Sequence, residues 1–120
     1  MLPKMNTSSI GKLSESIARE YLEDKGYNII KQNYKTKYSE IDLIAEKDKE
    51  LVFIEVRSKT GENFGTPENT LNKRKLRKVR MNAMAYVNRK NWKGPYRIDA
   101  ICIVLNQDNS VKRLDHYENI

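Results

Sequence analysis

The chain has 120 residues, one cysteine, and a net charge of +7 from 23 basic and 16 acidic side chains. That length supports a single domain, residues 1–120, whose core can form without disulfides or structural zinc, and leaves no room for several domains. Cys102 lies inside the apolar run Ala100 to Leu105 and has no second cysteine to pair with, which suits a reducing, cytoplasmic setting, and no segment approaches the roughly 20 apolar residues that span a bilayer, so no membrane association is expected.

In chain order, residues 1–8 are expected to be flexible, and Ser9 to Lys25 to form a helix with Ile10, Leu13, Ile17 and Tyr21 on one stripe and Ala18 and Leu22 beside it. Gly26 supplies a stop. Tyr27 to Tyr34 reads as a strand. Two short apolar runs follow, Glu40 to Ala45 and Glu50 to Arg57, joined by a polar stretch centred on Asp48 and Lys49. Gly61, Gly65 and Pro67 mark a loop. Thr70 to Arg89 has a second helical pattern, with Leu76, Val79, Ala83, Tyr86 and Val87 on its buried side, and Asn91 to Pro95 ends it. Tyr96 to Leu105 is apolar on both alternating faces over its second half, as in a central strand covered on both sides. Asn106 to Ser110 is a turn and Val111 to Tyr117 a weak last strand. The predicted order is α-β-β-β-α-β-β.

Two features carry chemistry. Positions 42 and 55 sum to the same value as 48 and 49, so an antiparallel hairpin centred there sets Asp42 opposite Glu55. Facing carboxylates repel and weaken a sheet unless a divalent cation reverses the local electrostatics. Magnesium and manganese favour oxygen ligands, and magnesium retains several waters, so two carboxylates and a backbone carbonyl such as that of Val56 leave coordination positions for water and phosphate. The second feature is the stretch from Asn69 to Ile98, which has no acid but carries ten basic residues, among them Lys73, Arg74, Lys75, Arg77 and Lys78. One-signed patches of this kind attract polyanions, nucleic acid first.

The order of elements and motifs resembles the restriction-endonuclease-like fold of the PD-(D/E)xK nuclease superfamily, and within it the YraN-like family of small bacterial proteins. The residues that carry the resemblance are Gly11-x-x-x-Glu15-x-x-Ala18, Gly26-Tyr27, Asn33-Tyr34, Ser39-Glu40-Ile41-Asp42-Leu43-Ile44, Val52-Phe53-Ile54-Glu55-Val56-Arg57, Phe64-Gly65-x-Pro67, Lys75 and Tyr96-Arg97-Ile98-Asp99. The resemblance implies an α/β fold with a central mixed sheet flanked by helices, a Mg2+ or Mn2+ site at Asp42 and Glu55, and a nucleic-acid partner, DNA before RNA. It further implies an endonuclease acting on phosphodiester bonds, with branched or otherwise structured DNA suggested by resolvase-type members, and a homodimer if cleavage is symmetric. A nucleic-acid-binding protein that keeps the fold without catalysis is the alternative, and an adaptor domain a third reading.

Arg57 departs from the superfamily pattern, which often has lysine two residues after the metal-binding glutamate. Arginine stays charged at ordinary pH and cannot act as a base, though it can clamp a phosphate. Alternation places Lys59 on the same face if the strand reaches that far. Glu15, at the rim of the first helix's apolar stripe, and Lys75, flanking that of the second, are further candidates for the catalytic site. Lys59 and the basic residues from Lys73 to Lys78, with the Ser58 to Pro67 loop, are expected to hold the nucleic-acid backbone. Arg97 and Asp99 are expected to form a structural ion pair, since a buried aspartate needs a partner. The lone His116 is expected near a frayed end without ligand neighbours.

Overall fold

A computed structural model describes residues 6–120 of the protein. Helix α1 (Thr7–Asp24) is followed by strands β1 (Asn28–Lys35), β2 (Glu40–Lys47) and β3 (Glu50–Thr60), a 3-10 turn (Pro67–Thr70), helix α2 (Lys73–Arg89) and strands β4 (Tyr96–Leu105) and β5 (Val111–Tyr117). The order of helices and strands is the expected one. The flexibility expected for residues 1–8 falls mainly on residues 1–5, outside the described residues, while Thr7 and Ser8 already belong to α1. That helix starts early because the Asn6 side chain accepts the Ser9 N–H at 2.8 Å and caps the first turn. Helix α2 starts three residues later than expected, since Pro67–Thr70 forms the separate 3-10 turn and Asn72 caps the helix through the Lys75 N–H at 2.9 Å.

The five strands form one mixed sheet in the order β1-β2-β3-β4-β5, in which only β3 and β4 run parallel. A parallel pair requires a crossover, and α2 supplies it. The β2–β3 hairpin has the predicted register, with Leu43 opposite Ile54 and Ala45 opposite Val52. Asp48 and Lys49 both have positive φ, 51° and 66°, the conformation of the tight two-residue turn whose twist matches its strands.

The helices cover opposite faces. Ala18 and Leu22 of α1 pack on Leu43, Ala45, Val52, Ile54, Ile101 and Ile103, while Val79, Ala83 and Tyr86 of α2 pack on Ile44, Leu51, Phe53 and Ile98. Central β4 is buried from Ile98 through Leu105, as its apolar run predicts. Cys102 lies within it, and burial pushes its thiol up to about 12, out of the reactive range. Ile41 joins the core under α2 although Leu43, two residues on, joins the core under α1, so the alternation of β2 breaks at Asp42.

On the α1 face, Asp99 is 0% exposed, and its Oδ1 accepts from Arg97 Nε at 2.9 Å and from the Asn119 N–H at 3.0 Å. Its Oδ2 accepts from Arg97 Nη2 at 3.2 Å and lies 2.8 Å from His116 Nε2. Arg97 also donates to Glu50 Oε1 at 2.5 Å and to the Tyr27 hydroxyl at 2.8 Å, tying the β2–β3 hairpin and the end of α1 to β4. The expectation for His116 is corrected: β5 pairs with β4 through Ile101 opposite His116, which turns the imidazole inward between Asp99 and the Tyr21 hydroxyl, 3.3 Å from Nδ1. Proximity to the chain terminus misled because hairpin pairing, not sequence distance, sets the environment.

Burial raises the Asp99 pKa, but the bonds from His116, Arg97 and the Asn119 N–H outweigh it and leave the carboxyl below its ordinary value. A carboxyl lowered in this way adds stability above its unfolded value, about pH 4, and that stability is lost as pH falls through the lower folded value. Arg97→Ala is expected to cost about 3–5 kcal/mol at pH 7, by stranding a buried charge, and less at pH 3. Urea unfolding at the two pH values measures both, and an equal loss at each would contradict this account.

Candidate functional site

The ladder between β2 and β3 runs from Lys47–Glu50 to Leu43–Ile54 and stops there. One residue further on, the Asp42 carboxylate accepts the Val56 N–H at 2.8 Å, a side chain standing where the ladder would have continued. The strands part at this point, and the opening lies between α1 on one face and α2 on the other. The hairpin arithmetic sets Asp42 opposite Glu55, but the ladder ends one pair short of them and the Asp42 carboxylate turns to the Val56 N–H.

Glu55 is 2% exposed. Its Oε1 lies 3.3 Å from Lys75 Nζ and accepts from Arg57 Nη1 at 3.4 Å, while Oε2 is buried with no hydrogen-bond partner. Burial raises the Glu55 pKa and the charges of Lys75 and Arg57 partly offset that rise. Asp42 is pushed up to about 7, first by burial and then by the charge of Glu55, with the Val56 N–H and Lys75 opposing and Glu15 adding to the rise. A buried glutamate with one oxygen left bare, beside a half-buried aspartate, is electrostatically incomplete, and an unsatisfied charged oxygen is costly.

Helix α1 brings Glu15 to the same opening. Glu15, Glu40 and Asp42 each offer an oxygen within 4.8 Å of the others, a group able to hold a metal ion. Asn33, opposite β2 with φ of 51°, sits between the outer two: with its amide nitrogen turned toward the acids it donates to Glu40 Oε1 at 2.7 Å and Glu15 Oε1 at 3.1 Å. Burial raises the Glu15 pKa, Asn33 lowers it and Glu40 raises it. Glu40 and Asn33 carry no expected role from the sequence, yet both stand in recognised motifs, and Glu40 lies two residues before Asp42, a spacing that alternation could have flagged.

A second group of possible ligands is Asp99, His116 and Glu118. Its chemistry is less open to a cation, because both Asp99 oxygens already accept two partners and Arg97 supplies the neutralising charge. The bare oxygen is on Glu55.

Arg57 is held by protein as well as offered to solvent: Nε donates to Thr70 Oγ1 at 2.7 Å, and that hydroxyl donates to Pro67 O at 2.6 Å. The guanidinium fastens the 3-10 turn to β3. On the α2 side a cavity of about 310 Å³ is lined by Ser39, Arg57, Thr70, Arg74, Lys75 and Lys78 among others. On the α1 side a cavity of about 400 Å³ is lined by Gly11, Lys12, Glu15, Asn33, Lys35 and Glu40 among others. Gly11 also lines a third, of about 200 Å³, with Val56 and Arg57, and a Cβ at Gly11 would project into open space.

The first turn of α2 contains Lys73, Arg74 and Lys75 and no acid. Cations at a helix N-terminus oppose the macrodipole, a local cost that an anion in the groove would reverse. Lys73, Arg74, Arg77 and Lys78 are exposed, whereas Lys75 is partly buried against Glu55. Lys59 lies within β3, which runs on to Thr60, so the loop begins at Gly61 rather than at Ser58. Asn82, buried on the apolar face of α2, hydrogen-bonds Thr36 and Ser39 and ties the β1–β2 connection to that helix. Among the described residues no helix is long and apolar enough to cross a membrane.

The fold and site define an α/β domain, a central mixed sheet flanked by helices, with an acidic group of Glu15, Glu40 and Asp42 at the junction of α1 and β2. Residues 14–103 match the model of the family described as Uncharacterised protein family UPF0102. The chain is 36% identical over 111 residues to the UPF0102 protein of Pelotomaculum thermopropionicum, covering 92% of each. It is 38% identical over 104 residues to that of a Sulfurihydrogenibium species, covering 86% of this chain and 90% of the other. With the UPF0102 protein of Thermotoga neapolitana it shares 37% over 109 residues, 91% of this chain and 94% of the relative. The protein belongs to the UPF0102, or YraN-like, family.

A carboxyl raised to about 7 stabilises the fold below its unfolded value, near pH 4, and that contribution is lost as pH rises through the folded value. Asp42→Asn, which can still accept the Val56 N–H, should therefore gain stability relative to wild type as pH rises, levelling off above about 7. Thermal midpoints in chelator at pH 5 and pH 8 test this. An identical gap at both would contradict the burial of an ionising Asp42.

Proposed function

We propose that the protein is a divalent-metal-dependent endonuclease of the PD-(D/E)xK type, hydrolysing DNA phosphodiester bonds. The observation that carries this reading is the bare, buried Glu55 Oε2 beside an Asp42 whose own charge is disfavoured. The acidic groups fit a hard cation: Glu15, Glu40 and Asp42 each offer a carboxylate oxygen within 4.8 Å of the others, and Glu55 keeps Oε2 without a partner, oxygen donors of the kind magnesium and manganese prefer. Asp42 and Glu55 would hold it, with the Val56 carbonyl as a third donor and Glu15 and Glu40 within reach of its waters. Such an ion lowers the pKa of a water and draws charge from a phosphate oxygen.

The chain's own residues account for the other requirements. Lys75 occupies, from α2, the flank of Glu55 that a lysine two residues along β3 would otherwise fill, and its Nζ is 3.3 Å from the carboxylate. There it orients Glu55 and presents a proton donor and positive charge to the scissile phosphate. Arg57 serves as a fixed charge toward the phosphate, since arginine does not release its proton. Arg74, Lys78 and the exposed Lys73 and Arg77 hold the backbone of the nucleic acid, with Lys59 further along the same face of β3.

The second reading, a nucleic-acid-binding protein without turnover, is favoured by the arginine at position 57 and by its engagement with Thr70. The two separate on linear, nicked, single-stranded and four-way DNA, and RNA, offered with magnesium, manganese or chelator. Cleavage is expected with metal only, reduced at least about 100-fold by Asp42→Asn or Glu55→Gln and about 10- to 100-fold by Lys75→Ala. Cleavage undiminished in both carboxylate variants would refute this site. Salt-sensitive binding by the wild type without cutting would establish the second reading.

A further inference from the structure

Gly61 to Thr66, between β3 and the 3-10 turn, carry one side chain that packing does not explain: Phe64 is 95% exposed. Single exposed hydrophobes are ordinary on a protein surface. This one stands on a loop that is fastened on every side. The Gly61 N–H donates to Leu105 O at 2.9 Å, Pro67 is buried, and Arg57 holds Thr70 just beyond. From β5, Arg113 donates to both oxygens of Glu68, at 2.9 and 3.0 Å, and to Glu62 at 3.3 Å, while Lys112 lies 3.6 Å from Glu62. Tyr117 adds a bond to Glu68 at 2.7 Å. Gly65, with φ of +108°, turns the chain directly after Phe64.

None of these contacts uses Phe64, whose ring is left to solvent. The loop's acids, Glu62 and Glu68, are paired with Arg113 and Lys112, so the loop does not repel a polyanion. On the side of α2, Thr70 at the end of the turn lines the same basic groove as Arg57, Arg74, Lys75 and Lys78. A solvent-exposed aromatic on the segment that leads into a turn lining the cationic groove fits a nucleobase whose face is free, because base–aromatic stacking is strong and tolerant of sequence.

We propose that Phe64 stacks on an unpaired base of the DNA and so directs the site to phosphodiesters next to unpaired or unstacked nucleotides. The proposal rests on the nuclease reading and names the substrate feature that the same cleft would select.

The test compares a short duplex with the same duplex carrying a bulge of unpaired bases, one of them 2-aminopurine, with calcium replacing magnesium so that binding is measured without cleavage. Phe64→Ala is expected to weaken the bulged DNA about 10-fold and to leave the plain duplex within about twofold, while Phe64→Trp restores the bulge preference. Wild type and Phe64→Trp should change the 2-aminopurine emission, and Phe64→Ala should not. Lys78→Ala should weaken both DNAs alike. Loss of neither or of both DNAs on Phe64→Ala overturns the stacking role while leaving the nuclease reading intact if metal-dependent cutting persists. A wild type that neither binds nor cuts any DNA overturns both.

Discussion

The contact on which the site depends is the Asp42 carboxylate accepting the Val56 N–H where β2 leaves β3. A buried N–H must be paired, and here the ladder that would have paired it has ended. Supplying the acceptor from a side chain lets the strands separate without stranding that donor. It also fixes the orientation of Asp42, so that one carboxyl oxygen is anchored to β3 while the acid stays within the field of Glu55 and Glu15. The cleft, the break in alternation at Ile41 and the approach of two helices from opposite faces all follow from that departure.

Around this point the protein tolerates arrangements that work against folding. A buried Glu55 lies in the field of a half-buried Asp42 and keeps an oxygen without a partner, and three cations crowd a helix N-terminus whose dipole disfavours them. Such local losses need a scaffold with stability in reserve, and the opposite face of the sheet provides it. There Arg97, Asp99, His116, Tyr27 and Glu50 satisfy one another and join β4, β5, the hairpin and the end of α1. One sheet therefore carries a completed polar network on one face and an uncompleted one at the mouth of its cleft, the pattern by which functional sites depart from otherwise consistent structure.

Much of this was legible from residues alone where a local rule governs the outcome. The hairpin register followed from the symmetry of the apolar runs about Asp48 and Lys49, because those two residues adopt the turn that the flanking strands require. Burial of β4 followed from an apolar run too continuous for a half-exposed strand. Glu15 and Lys75 could be nominated from the rims of the two helical stripes, and the fold carries both to the cleft. Glu40 and Asn33 escaped notice because their importance lies in meeting Glu15 across three elements. The burial of His116 depends on the pairing of β5 with β4, and a polar Asn82 on an apolar helix face has meaning only once Thr36 and Ser39 come to meet it.

Periodicity, turn chemistry and charge distribution by themselves determined the element order, the register of the β2–β3 hairpin and the basic character of the second helix, since each arises from neighbours in the chain. Tertiary structure alone decided that β2 leaves β3 at Asp42, that Glu55 keeps one oxygen bare, that Arg57 divides its bonds between Thr70 and Glu55 while Lys75 joins it beside the glutamate, and that Phe64 stands in solvent. These depend on contacts between residues far apart in sequence, whose distances are set by how two helices pack across a twisted sheet rather than by any spacing along the chain.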